Sequence, residues 1–94
     1  MEISEAQSMM FRIYFTRDSK RGLEKTYMWF VEEVGELARS LLKAEKSSIK
    51  EELADVFAWL LSIANLLEID LEKAFLEKYP NRCPRCGKNP CVCP

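Results

Sequence analysis

The chain is predicted to be all-α: an antiparallel helix hairpin with flanking helices. Three observations predict this. Apolar residues recur in steps of three and four over two long stretches, first Leu23, Tyr27, Phe30, Val34, Leu37 and Leu41, then Ile49, Leu53, Val56, Leu60, Ile63 and Leu67. Such steps place side chains on one face of a helix. No stretch alternates apolar with polar residues as a half-buried strand does. Leu, Ala, Glu and Lys, all good helix formers, dominate the composition, and only 3 of 94 residues are glycine.

In chain order, Ser4 with Gln7 reads as a capping box, which opens a first helix from about Glu5 to Thr16. Its Met9, Met10, Phe11, Ile13, Tyr14 and Phe15 are mostly core candidates, with one aromatic available to stack on a base. RDSKRG then reads as a loop whose Arg17, Lys20 and Arg21 are solvated cations or phosphate contacts. Residues 23–46 form the second helix. Gly35 inside it costs about 1 kcal/mol relative to Ala, which a close approach by another helix would explain. The short AEKSS linker makes the next helix an antiparallel neighbour. Ser48 and Glu51 form a capping box that starts it near Ile49, within residues 47–68. Ala54, Phe57, Ala58, Leu61 and Ala64 line its far side, which one antiparallel neighbour cannot cover, so a second subunit is expected there. Asp70 caps a short helix from Leu71 to about Lys78, and Pro80 stops it.

The chemistry of the hairpin lies in its acids. Glu33 and Glu36 are three apart, as are Glu52 and Asp55, so each helix presents a pair of carboxylates. At about 100° per residue, both pairs fall about a quarter turn from the centre of their apolar seam, in the same rotational sense. In an antiparallel pair that puts them on one side. A hairpin folded near residue 44 sets Glu33 level with Asp55, Glu36 with Glu52, and Trp29 with Trp59 as a wall at one end. Clustered carboxylates repel unless a cation compensates them, and an all-oxygen set suits Mg²⁺ or Mn²⁺. The bland alternative is a solvated acidic face. Asp55 argues against that, being the only charged residue from Leu53 to Leu67 on an otherwise apolar helix. Glu51 is accounted for by its cap, and Glu32 points to the polar side.

The run Glu32-Glu33-x-x-Glu36, then Glu52-x-x-Asp55, resembles the signature of the MazG-type, all-α nucleotide pyrophosphohydrolases. Its flanks VEEVGELA, EELADVFAWLLSIAN and EIDLEKA match as well, and the resemblance spans roughly residues 22–82. It implies hydrolysis of a nucleoside triphosphate to the monophosphate and pyrophosphate. It also implies magnesium on Glu33, Glu36, Glu52 and Asp55, and a four-helix core completed by a second subunit, in a homodimer or tetramer. Glu32 or one of the ligand carboxylates would be the base. Lys78 and Asn81 match a Lys-x-x-Asn placed near nucleotide in that family, and Trp29 is a candidate base contact. Without the resemblance, Lys78 reads equally as a charge complementing a helix C-terminus. Two rival readings are a non-enzymatic helical interaction module and a phosphoribosyl-ATP pyrophosphohydrolase.

The length bounds the chain to one domain with a modest core. A net charge of −1 gives no general field for a nucleic-acid polymer. No apolar run reaches membrane-spanning length and no signal-peptide pattern opens the chain, so a cytoplasmic protein is expected. Residues 1–80 form the expected helical domain and residues 81–94 a Cys-rich tail. That tail, NRCPRCGKNPCVCP, carries all 4 cysteines as C-x₂-C-x₄-C-x-C. Cys83-Pro-Arg-Cys86-Gly is a good half-site for zinc, and Cys91-Val-Cys93 a less usual second half. Structural Zn²⁺, disulfides and a disordered tail are the open readings.

Overall fold

A computed structural model describes residues 1–94. Four helices and no strands make up the fold: α1 (Ile3–Arg21), α2 (Leu23–Lys43), α3 (Lys46–Leu66) and α4 (Leu71–Lys78). α2 and α3 form the predicted hairpin, α1 packs mainly on α3, and α4 packs on α1.

α1 is longer than predicted at both ends. Its N-terminus is capped by Glu2 and Glu5, whose side chains and backbone N–H groups bond reciprocally. Ser4 and Gln7 do other work. The Ser4 N–H donates to the Glu72 carboxylate, while Gln7 donates to Ile69 O and accepts from Leu71 N–H, tying α4 down. The expected RDSKRG loop is helical through Arg21. Asp18 is buried and accepts a 2.8 Å bond from Arg21, one turn on. The break falls at Gly22, where φ is 89°, a conformation L side chains rarely adopt.

The linker is shorter than AEKSS. Ala44, in the left-handed region, bonds back to Leu41 O and Ser40 O, and α3 begins immediately after Glu45. Ser48 is not the cap; its hydroxyl donates to the Glu45 carboxylate at 3.2 Å. At the other end Asp70 caps α4 as predicted, accepting from Lys73 N–H.

The main correction concerns which face of each helix is inside. The inward line of α2 runs Thr26, Phe30, Glu33, Leu37, Ser40, while Leu23, Tyr27, Val34 and Leu41 of the predicted seam are exposed. On α3 the line runs Glu52, Val56, Trp59, Ile63, Leu66, and Leu53 and Leu60 are exposed. Glu33 and Glu52 therefore sit within the helix contact, not a quarter turn from it. A broad apolar face has no unique centre, and the chain packs one edge of it. The far side of α3 is covered in part by α1, not solely by a second subunit: Leu61 and Ala64 are the only buried hydrophobic residues, and Asn65 donates to Gln7 O at 3.1 Å. In α1, Phe11, Ile13 and Tyr14 are exposed, against their expected core role.

The result is an open molecule. Its accessible surface is 7268 Å² for 11.0 kDa, against about 5600 Å² for a compact monomer of that mass. Its radius of gyration is 15.5 Å, against about 12 Å for a compact domain of this length. No helix is long and apolar enough to cross a membrane.

Candidate active site

The hairpin brings three of the predicted acids together. One oxygen from each of Glu33, Glu52 and Asp55 lies within 4.8 Å of the others. The register is the predicted one, with Glu33 level with Asp55. Trp29 and Trp59, one turn further from the loop, stack with ring centroids 6.4 Å apart. Glu36 does not join the group. It is one turn nearer the loop, where its charge helps to raise the pKa of Glu32, four residues back on the same helix. The predicted box of four is thus a trio, with Glu36 outside it.

The trio is electrostatically unfinished. Burial pushes the Glu33 carboxyl up from 4.5 to about 7, helped by the charges of Asp55, Glu52 and Glu32. Glu32 is raised as well, first by desolvation and then by Glu36. Glu52 buries one oxygen, Oε2, that has no hydrogen-bond partner. A buried polar atom of this kind needs compensation. Three convergent carboxylates with an orphaned oxygen and no nitrogen or sulfur donor fit a hard divalent cation.

This gives a pH prediction for the metal-free chain. Between about pH 4.5 and 7 the folded state holds a proton on Glu33 that the unfolded state has released. The stability from that proton is complete below about 4.5 and is lost as pH rises through about 7. A cation must displace the same proton, so its affinity should rise with pH across this window and then level off. Urea midpoints on both sides of the window, with and without Mg²⁺, check both trends; magnesium stabilisation independent of pH would contradict the second.

Beside the trio is a hollow of about 160 Å³ that includes Asp55. α1 lines it with Tyr14, Arg17, Asp18 and Arg21, and α3 adds Trp59 and Ser62. The Arg21 guanidinium lies 4.9 Å from the centroid of Trp59 while its Nη1 holds Asp18. A guanidinium at this distance is within cation–π range. Asp18 is 2% exposed, and its Oδ2 has no partner. Arg17 and Arg21 were expected in a loop, as solvated cations or phosphate contacts, and Asp18 was not singled out. Helical spacing continued to Arg21 would have put residues 14, 17, 18 and 21 on the face of Met10, which also lines the hollow.

The other sequence candidates lie apart. Lys78 is at the end of α4 with its ammonium over the Tyr79 ring, and Asn81 is engaged by Asn89. Neither lines the hollow beside Asp55. Nothing from the rest of the chain lies within 4 Å of where a Cβ on Gly35 would sit, so the neighbour expected there is not one of its own helices. Trp29 is half-exposed, in a separate shallow depression with Lys25, Met28 and Glu32.

Fold and site together define an all-helical domain with a cluster of three carboxylates between two antiparallel helices. The MazG nucleotide pyrophosphohydrolase domain matches residues 21–87, well over half of the chain, and the chain belongs to that family. No curated protein matches it.

Proposed function

We propose that the protein hydrolyses a nucleoside triphosphate, NTP or dNTP, to the monophosphate and pyrophosphate in a Mg²⁺-dependent reaction, with Mn²⁺ as a substitute. The observation that carries this is the trio of Glu33, Glu52 and Asp55, with its orphaned Glu52 oxygen, opening beside an arginine-lined hollow. Glu36 completes the ligand set if its side chain turns toward the trio. When bound, the cation supplies neutralising charge to the triphosphate oxygens.

The chain's own residues do the rest. Arg17 and Arg21 bind phosphate oxygens from the α1 side, where a guanidinium fork suits bidentate contact. The Trp29–Trp59 stack keeps water from one end of the centre, and Tyr14 or Trp59 offers a face to the base. Glu32, with its raised carboxyl pKa, accepts the proton of the attacking water. Water adds at the α-phosphorus, the bond to the bridging oxygen breaks, and pyrophosphate departs with the electron pair. Lys78 and Asn81 act on substrate only when brought to the centre by a second copy.

That second copy is part of the proposal. The surface in excess of a compact monomer, the exposed row Leu23, Tyr27, Val34, Leu41 and the open space over Gly35 fit a homodimer or a tetramer. Folding and association would then be one process. The thermal midpoint should rise with protein concentration, as scanning calorimetry over a hundredfold dilution series would detect. A midpoint unmoved by dilution, with a monomeric mass by light scattering, would dismiss the oligomer.

The deciding experiment for the activity is a panel of nucleoside triphosphates and phosphoribosyl-ATP with Mg²⁺, reading pyrophosphate against orthophosphate. Pyrophosphate from a triphosphate supports the proposal. Turnover of phosphoribosyl-ATP alone moves the activity to that substrate. No turnover of any substrate leaves a helical interaction module. The expected setting is the cytoplasm, where free nucleotides and magnesium are abundant.

A further inference from the structure

We propose that Cys83, Cys86, Cys91 and Cys93 form a structural zinc site that folds residues 81–94 onto the end of α4. This is independent of the proposed hydrolase activity and of the carboxylate trio.

The four sulfurs lie within 4.8 Å of one another. Two pairs join the two halves of the tail: Cys83 to Cys93 at 3.7 Å and Cys86 to Cys91 at 4.0 Å. Zn–S bonds of about 2.3 Å in a tetrahedron require sulfurs about 3.8 Å apart. All four thiols are free, and the separations are far beyond the roughly 2.05 Å of a disulfide. Each half-site contributes one sulfur to each close pair, which describes a single centre with four donors.

The backbone is arranged around those sulfurs. Cys83 N–H donates to Lys88 O, and Gly87 N–H to Cys83 O, closing a tight turn over Cys83 and Cys86. Gly87 has φ 71°, which the turn requires and a side chain would resist. Val92 N–H donates to the Cys86 sulfur at 3.5 Å and Cys93 N–H to the Cys91 sulfur at 3.3 Å. Such bonds favour the thiolate form that a metal needs.

Apolar packing does not hold this segment. It contains no helix, no strand and no buried residue, and Val92 is exposed. Ordering such a stretch loses conformational entropy that a metal can offset. Four thiolates without His or carboxylate select zinc or iron, and zinc satisfies a closed tetrahedral set without redox chemistry. The tail then acts as a clamp: Asn89 donates both to Asn81 O, at 2.9 Å, and to Asn81 Oδ1, at 3.2 Å. Asn81 itself adopts a left-handed φ of 61°.

The test uses the full chain, purified in reductant without chelator. Elemental analysis should find one zinc per chain. Cobalt added to the metal-stripped protein should develop the intense visible bands of tetrahedral thiolate coordination. Zinc should protect all four cysteines from alkylation. Cys86→Ser should lose stoichiometric zinc and expose the tail to protease while circular dichroism keeps the helices. Asp55→Asn should keep the zinc. Four freely alkylated thiols in the presence of zinc would overturn the proposal. So would a mass four hydrogens light, which means two disulfides, or stoichiometric iron in place of zinc.

Discussion

Asp55→Asn is expected to lower magnesium-dependent pyrophosphate release by about 10²–10³-fold. Removing one charged member of a cation site loses several kcal/mol of transition-state stabilisation, and each 1.36 kcal/mol is about tenfold in rate. Asn keeps the shape of the side chain and lowers the repulsion with Glu33 and Glu52, so the variant should fold at least as well as the parent. That combination separates a chemical role from a structural one. Glu36→Gln should behave differently, because Glu36 stands outside the trio in this structure. If it turns in only as a late ligand, the main effect is a higher magnesium requirement, on the order of tenfold. Titrations of rate against Mg²⁺ for both variants distinguish these outcomes; retained turnover in both would remove the carboxylates from the reaction.

The largest loss of stability is expected at Leu61. It is 1% exposed and, with Ala64, makes up the whole buried apolar core. Leu→Ala at a site of this kind costs about 2–5 kcal/mol. For a domain of this length, 1 kcal/mol moves the midpoint by about 4–8 °C, so Leu61→Ala should melt at least about 8 °C lower. Thermal melts at matched protein concentration measure the shift. A loss below about 1 kcal/mol would mean that α1 and α3 close around the cavity more readily than so tightly packed a site implies.

Much of the fold was legible because two independent patterns agreed. The apolar periodicity placed α2 and α3, and the carboxylates and tryptophans fixed their register. Glu33 with Asp55 and Trp29 with Trp59 meet at the levels that a fold near residue 44 dictates. Asp70 was legible as a cap because a short polar side chain before a helical run has few other uses. What the pattern could not resolve was rotation. Leu23, Tyr27, Val34 and Leu41 are as apolar as an inner seam, and only the packed fold reveals that this row faces outward. Local signals also failed where tertiary bonds outcompeted them: Ser4 and Gln7 read as a cap but serve α4. The polar run Arg17 to Arg21 concealed the last turn of α1, since a buried Asp18 paired within its own helix leaves no apolar trace. Glu36 defeated the spacing argument for another reason. Helical phase fixes where a residue starts, not which rotamer a flexible carboxylate selects.

The placement of Glu33 and Glu52 inside the helix contact has a consequence for the living cell. Two carboxyl groups stand where a hydrocarbon core would ordinarily glue the rods together, so under the proposed function the fold and its mineral supply would form a single equilibrium. A ligand that binds only the native form adds RT ln(1 + [L]/Kd), about 2.7 kcal/mol at a hundredfold excess. Starved of divalent ions, the hairpin should loosen at mid-length first, and the chain's lifetime would track the ionic state of its surroundings.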